Sequence, residues 1–176
     1  MPNAIFVAEN MASQKVPSLL KSGRYQVGGN NAAINNGCVV RITGQDANQR
    51  EVYLVGATAA VTNEIYVVDT VERIYSEQTT AGLNNYTNVA GEILRLRKPQ
   101  VGDHFAVSAL AIAPLGAAPA VGSVLVTPAA GILWTEAIAP AGAESVVAVI
   151  EGSYVLGADP IGGRNITMYS VRVTVA

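Results

Sequence analysis

Charge is scarce in this chain. Charged side chains make up 14% of its 176 residues, against about 25% in an ordinary soluble domain. The 11 basic and 13 acidic residues leave a formal net charge of −2. That balance argues against a nucleic-acid binder working by phosphate neutralisation. Cysteine is nearly absent. Cys38 stands alone, so no disulfide forms within the chain, and a fold that matures in a reducing cytosol fits. His104 is the only histidine, which excludes a His-rich metal site. No cofactor is expected. Long apolar runs are missing too. The most apolar stretch, Phe105 to Val126, is broken by Ser108, Pro114, Gly116, Pro119 and Gly122, whereas a spanning helix needs about 20 continuous residues. No membrane segment is expected. Met1 to Leu20 shows no early basic cluster followed by an apolar block, so no secretory signal is expected either.

What remains is half apolar, with 17 Gly and 8 Pro and mostly small or β-branched side chains. Valine and isoleucine suit pleated, half-buried surfaces, and frequent Gly, Pro, Asn and Asp punctuate short strands. The chain reads as all-β: a small barrel or sandwich of short strands, with apolar surface left over for a partner. Residues 1–28 read as an extended N-terminal arm. A first β half follows over 29–110, then an Ala/Pro/Gly linker over 111–120. Residues 121–176 either complete the barrel or form a second small β unit.

The Asn36-Gly37 turn opens a strand at Cys38–Thr43, whose hairpin partner is Arg50–Val55. Asn63–Thr70 is a third strand, with Ile65 and Val67 on one face and Tyr66 and Val68 on the other. A polar loop is expected over Ser76–Val89. In the strand from Glu92 to Lys98, Arg95 shares a face with Arg97, and Leu94 with Leu96. Val101-Gly102-Asp103 and Val121-Gly122-Ser123 each fit a tight turn feeding a strand. Ile166–Val175 alternates regularly and belongs inside a sheet.

Chemistry is thin. Asp103 neighbours His104 on a strand, so the two side chains point to opposite faces and the acid is badly placed to orient the imidazole. Cys38 with His104 is the one possible Cys–His pair, but Cys38 opens an apolar strand, where cysteine usually acts as a small hydrophobe. Gly162-Gly163-Arg164 lacks the helix a phosphate cradle requires. Trp134 reads as a core or subunit-interface residue. No P-loop, nucleophile elbow or dinucleotide fingerprint occurs, and an enzyme is the class least expected.

The order of phrases is more telling. Asn36-Gly37-Cys38-Val39-Val40 is followed by Glu51-Val52-Tyr53-Leu54-Val55 and Glu64-Ile65-Tyr66-Val67-Val68. Then come Ala90-Gly91-Glu92-Ile93-Leu94-Arg95-Leu96, Val101-Gly102-Asp103-His104-Phe105-Ala106-Val107-Ser108 and Val121-Gly122-Ser123-Val124-Leu125-Val126. From Gly29 onward this series resembles the capsid decoration (cement, or head auxiliary) proteins of tailed bacteriophages. The resemblance implies a non-enzymatic virion protein made in the host bacterial cytoplasm. Such a protein binds the outside of the expanded capsid, often as a trimer, and braces neighbouring major capsid protein subunits. On that expectation Phe6, Val7, Leu19 and Leu20 anchor the arm on a neighbour, and Lys15, Lys21 and Arg24 meet acidic capsid surface. Arg95 and Arg97 form a basic spot for an acidic partner. The alternative is a carbohydrate- or host-surface-binding module of a phage fibre or head, which needs exposed aromatics for sugar stacking. A major capsid protein, the third option, usually needs a longer chain with a substantial helix.

Overall fold

A computed structural model of the chain describes residues 3–71, 86–158 and 165–176. Thirteen strands are placed among them: β1 (Phe6–Asn10), β2 (Leu20–Val27), β3 (Asn30–Asn31), β4 (Val39–Gln45), β5 (Val52–Gly56), β6 (Tyr66–Val68), β7 (Leu94–Arg97), β8 (His104–Ser108), β9 (Ile112–Ala113), β10 (Val124–Val126), β11 (Trp134–Ala137), β12 (Val147–Ala158) and β13 (Asn165–Val175). Helical structure among the described residues is limited to single 3₁₀ turns such as Ala12–Gln14 and Pro17–Leu19. The fold is all-β. Gly162-Gly163-Arg164 and most of the Ser76–Val89 loop lie outside the described residues.

The strands form two sheets. One runs β1-β8-β13-β12-β10-β11-β9 and the other β3-β2-β5-β4-β6-β7, with a further pairing of β2 to β7. That pairing closes the second sheet into a five-stranded barrel. Ser22 and Gly23 bond to β5 on one side and to β7 on the other, and β4 and β6 complete the circuit. Gly23 lets the strands meet closely at this seam. A Cβ there would stand 2.5 Å from Leu96 Cδ1 and 3.2 Å from Val55 Cγ1.

Two cores result, and they share a wall. Tyr25, Cys38, Val40, Tyr66, Leu94 and Leu96 fill the barrel. Val39, Ile65 and Val67 face the other way, onto Phe105, Trp134, Ile150 and Val171 of the seven-stranded sheet. Strands β4 and β6 are therefore apolar on both faces, as expected of strands covered on both sides. The two-faced pattern of Ile65 and Val67 against Tyr66 and Val68 is borne out. So is the terminal strand: β13 lies between β8 and β12, with Tyr169, Val171 and Val173 in the core and Met168 on the opposite face, beside Ile5 and Ala106.

Two boundaries expected from the sequence are corrected. The N-terminal arm is part of both sheets. Strand β1 pairs antiparallel with β8, β2 closes the barrel, and Ala4, Ile5, Phe6 and Met11 are buried. The crossing between them is pinned from both sides: the Ala12 N–H donates to Asp103 Oδ1 at 2.7 Å, and Arg97 Nη1 donates to Ser13 Oγ at 3.1 Å. The Ala/Pro segment at 111–120 does not divide the chain either. Ala111 and Ile112 are buried, and β9 pairs parallel with β11. The division between barrel and sheet falls instead between β7 and β8, with β1 reaching back across it.

The two Val-Gly turns share one hydrogen-bond pattern. Gly102 (φ 90°) donates to the Val173 carbonyl at 2.9 Å and Gly122 (φ 92°) to the Ile150 carbonyl at 2.8 Å. The Val173 and Ile150 N–H groups return bonds to Asp103 and Ser123, each at 2.9 Å. Each glycine sits in the left-handed region that disfavours side chains, and each turn locks the start of its strand to the strand alongside.

Candidate interaction surface

The cations expected to meet a partner are mostly engaged within the fold. Arg24 forms an ion pair with Asp46 and also donates to Gln49 Oε1 (3.1 Å) and the Gly91 carbonyl (3.3 Å). Arg95 and Arg97 converge on Asp69 Oδ2, Arg95 at 2.8 Å. Arg97 is buried, which removes it from any surface. Of the apolar anchors, Phe6 is in the core, its ring 5.4 Å from that of Phe105, so it cannot reach a neighbour. Val7, Leu19 and Leu20 are half-buried, and Lys15 is exposed. Lys21 Nζ lies 5.9 Å above the Tyr53 ring.

Leu20, Lys21 and Arg95 do come together. With Tyr53, Glu92 and Ile93 they line an open groove of about 900 Å³ on the outside of the barrel. Cations and carboxylates both border it. Glu92 is turned inward to its own loop, accepting the Val89 N–H at 3.0 Å.

The candidate chemical groups are held apart. Asp103 accepts the Ala12 and Gln100 N–H groups (2.7 and 2.9 Å), while the His104 Nδ1 faces Glu151 at 3.7 Å. Glu151 is also the partner of Arg172. Asp103 and His104 thus face separate partners, as the strand geometry requires. Cys38 is buried, and burial pushes its thiol up to about 12, so it stays protonated and unreactive near neutrality. Trp134 is fully buried and stacks on Phe105 with centroids 5.7 Å apart. The hydrogen bond from Lys98 holds Glu64 below the usual carboxylate range. Burial, then the Glu64 charge, push Tyr66 up to about 12. Among the described residues no group of three or more His, Cys, Asp or Glu is placed to hold a metal, and no helix is long and apolar enough to cross a membrane.

The surface that sequence reasoning missed lies at one end of the seven-stranded sheet. Strands β9 and β11 run toward this end and β10 starts from it. At the opposite end the β10–β11 turn packs on the barrel: Gly131 bridges to Thr58, and Ile132 accepts the Val39 N–H at 2.8 Å. Loop 114–123 and Ile138 therefore lie at the end away from the barrel, and the segment after Ile138 leads back to it, where the Ser145 N–H donates to the Val61 carbonyl at 2.8 Å. Exposed at the far end are Ile138 (90%), Leu115 (62%) and Val121 (56%).

A buried carboxylate organises loop 114–123. Glu136 accepts the Leu115 N–H at 2.9 Å and the Ala120 N–H at 2.7 Å. Burial alone would raise its pKa, but these two amides and the Ser123 hydroxyl outweigh it and hold the carboxyl below its usual value. The signal for this site was readable as a gap, since Glu136 is the only charged residue between His104 and Glu144. No family model, curated protein or solved structure matches the chain.

Proposed function

We propose that this chain is a non-enzymatic structural protein of a bacteriophage head. It binds the outer surface of the expanded capsid, braces neighbouring major capsid protein subunits, and acts in many copies as a homo-oligomer, with a trimer favoured. It is made in the host cytoplasm and ends in the virion. One observation supports this best: most of the ionisable groups suited to chemistry are tied into the fold, while large apolar side chains stand uncovered. Exposed apolar surface, where it gathers into a patch, marks a protein-binding face. Repetition over a lattice then multiplies weak contacts without any new chemistry. The resemblance of the strand phrases points the same way. The rival glycan-binding reading draws less support, because Tyr154 is the aromatic among the exposed large apolar side chains of the described residues.

Co-sedimentation tests the reading. The purified chain should pellet with DNA-filled, expanded heads and stay in the supernatant with unexpanded shells. Equal recovery with both, or with neither, refutes it.

A further inference from the structure

We propose that the cleft beside Arg41 is an oxyanion site, taking a carboxylate or phosphate group that the fold itself does not supply. The proposal stands independently of the capsid reading.

The pattern of arginine pairing carries it. Among the described residues, Arg24, Arg41, Arg95, Arg97 and Arg172 are buried or half-buried. All but one hold a carboxylate: Arg24 pairs with Asp46, Arg95 and Arg97 with Asp69, and Arg172 with Glu151. Arg41 is the exception. Its Nε donates to the Ala57 carbonyl at 3.1 Å, and no acid among the described residues forms an ion pair with it. A guanidinium drawn partly out of water is best compensated by an ionised oxygen partner. Arg50, the other described arginine, is exposed on a turn, where water solvates it.

The surroundings of Arg41 suit an anion. It lines a cleft of about 490 Å³, walled by Arg41 and Thr43 of β4, by Gly56 and Ala57 at the end of β5, and by the β2–β3 turn. The cleft opens where β2 leaves β5 after the Tyr25–Val55 pair and turns back as β3. No carboxylate among the described residues lines it, so Arg41 is its one charge. A cation entering here would meet repulsion and no counter-charge. A carboxylate or phosphate would meet no like charge, and two of its oxygens match the guanidinium fork. The turn leaves room for it: Gly28 and Gly29 have positive φ (58° and 82°), and a Cβ on either would touch nothing within 4 Å. A free anion and an acidic side chain of a partner protein present the same oxygens.

The test titrates sodium phosphate, and separately sodium acetate, into the full-length chain at constant ionic strength. Heteronuclear NMR follows the Arg41 Nε–H and the amides of Gly28, Gly29 and Ala57. Wild type should saturate with a midpoint of about 1–10 mM, the strength of a pair of charge-assisted hydrogen bonds. Arg41→Gln should weaken binding at least about tenfold. Thr43→Glu should do the same by another route: Thr43 is exposed and lines the cleft two residues along β4, so the new carboxylate occupies the site from within. Both variants should melt close to wild type; if Arg41→Gln melts early, Thr43→Glu carries the test. Shifts that grow without saturating, or that saturate at the wild-type midpoint in the variants, overturn the proposal, since the anion would then be adventitious only. Co-sedimentation with DNA-filled heads, in phosphate against chloride at equal ionic strength, separates the two sources. Release by phosphate, with at least about tenfold weaker binding of Arg41→Gln, assigns the oxyanion to an acidic side chain of the shell. Head binding indifferent to both, with the NMR titration positive, assigns it to a free anion.

Discussion

Replacing Asp69 with alanine tests the ion cluster that ties the end of β6 to β7 within the barrel and, through Arg97, reaches Ser13 of the N-terminal crossing. Asp69 directly follows β6. Its carboxylate receives Arg97 and Arg95, its carbonyl receives Arg95 Nε at 2.6 Å, and its N–H donates to the Arg95 carbonyl at 2.9 Å. The two arginines are not equivalent. The Arg97 side chain is 8% exposed and that of Arg95 38%. Without the carboxylate, Arg95 turns to water at little cost, but Arg97 is left as a buried cation facing the Ser13 hydroxyl. Breaking a buried pair from one side costs about 3–5 kcal/mol. In a domain of this size that lowers the melting temperature by roughly 10 °C. Adding Arg97→Met removes the stranded charge and should restore most of the loss. Urea denaturation of wild type, both single variants and the double variant measures the coupling. A loss below about 1 kcal/mol in Asp69→Ala, or additive effects in the double variant, would refute the reasoning, since either requires the ion cluster to be solvated.

Phe6→Ala should cost about 3–5 kcal/mol in urea denaturation, as truncation of a buried aromatic does; a near-neutral change would restore Phe6 to a free arm. Gly23→Ala should cost about 1–3 kcal/mol by overpacking, because the fully buried Leu96 that it meets must shift. Because the folded-state pKa of Glu136 is lowered from 4.5, its contribution is complete above that value and is lost as pH falls through the lower folded-state pKa. Amide protection at Leu115 and Ala120 should fall over that acid range, and Glu136→Gln should weaken it already at neutral pH. Cys38, with its thiol pushed up to about 12, should react with a disulfide reagent at pH 8 no faster than the protein unfolds; rapid labelling would place it at the surface.

Local pairing was legible because it is written in short alternating runs. The β4–β5 hairpin, the two-faced β6, the Leu94/Leu96 against Arg95/Arg97 division and the long β13 all follow from a period of two within one segment. The division of β7 has a consequence that periodicity did not reveal. Its outward arginines meet one acid, Asp69, contributed by a residue 26 positions earlier for Arg95 and 28 for Arg97. The candidate site was legible only in part. Leu20, Lys21 and Arg95 do share a groove, but the sequence signal for the distal loop was an absence of charge, and an Ala/Pro-rich run with no charge reads equally as a linker. What separates the two meanings is Glu136, which lies 21 residues from Leu115 and gives the loop a fixed shape.

The N-terminal segment shows why the rest was not legible. Ile5, Phe6 and Val7 offer no clean alternation, because the start of β1 and the residue before it are covered on both sides: Phe6 points to the main core and Ile5 to the cluster with Ala106 and Met168. A strand of five residues has no stability by itself, and its partner, β8, lies about a hundred residues away; the Ile5 N–H to Ser108 Oγ bond spans 103 positions. The same holds for β2, whose parallel pairing with β5 cannot be made by a tight turn. Both strands depend on partners that the chain supplies later, so a window along the sequence sees only a loosely patterned leader. In the folded chain that leader is the seam between barrel and sheet. Most of the large apolar side chains left exposed among the described residues lie outside that seam, led by Ile138 at 90%.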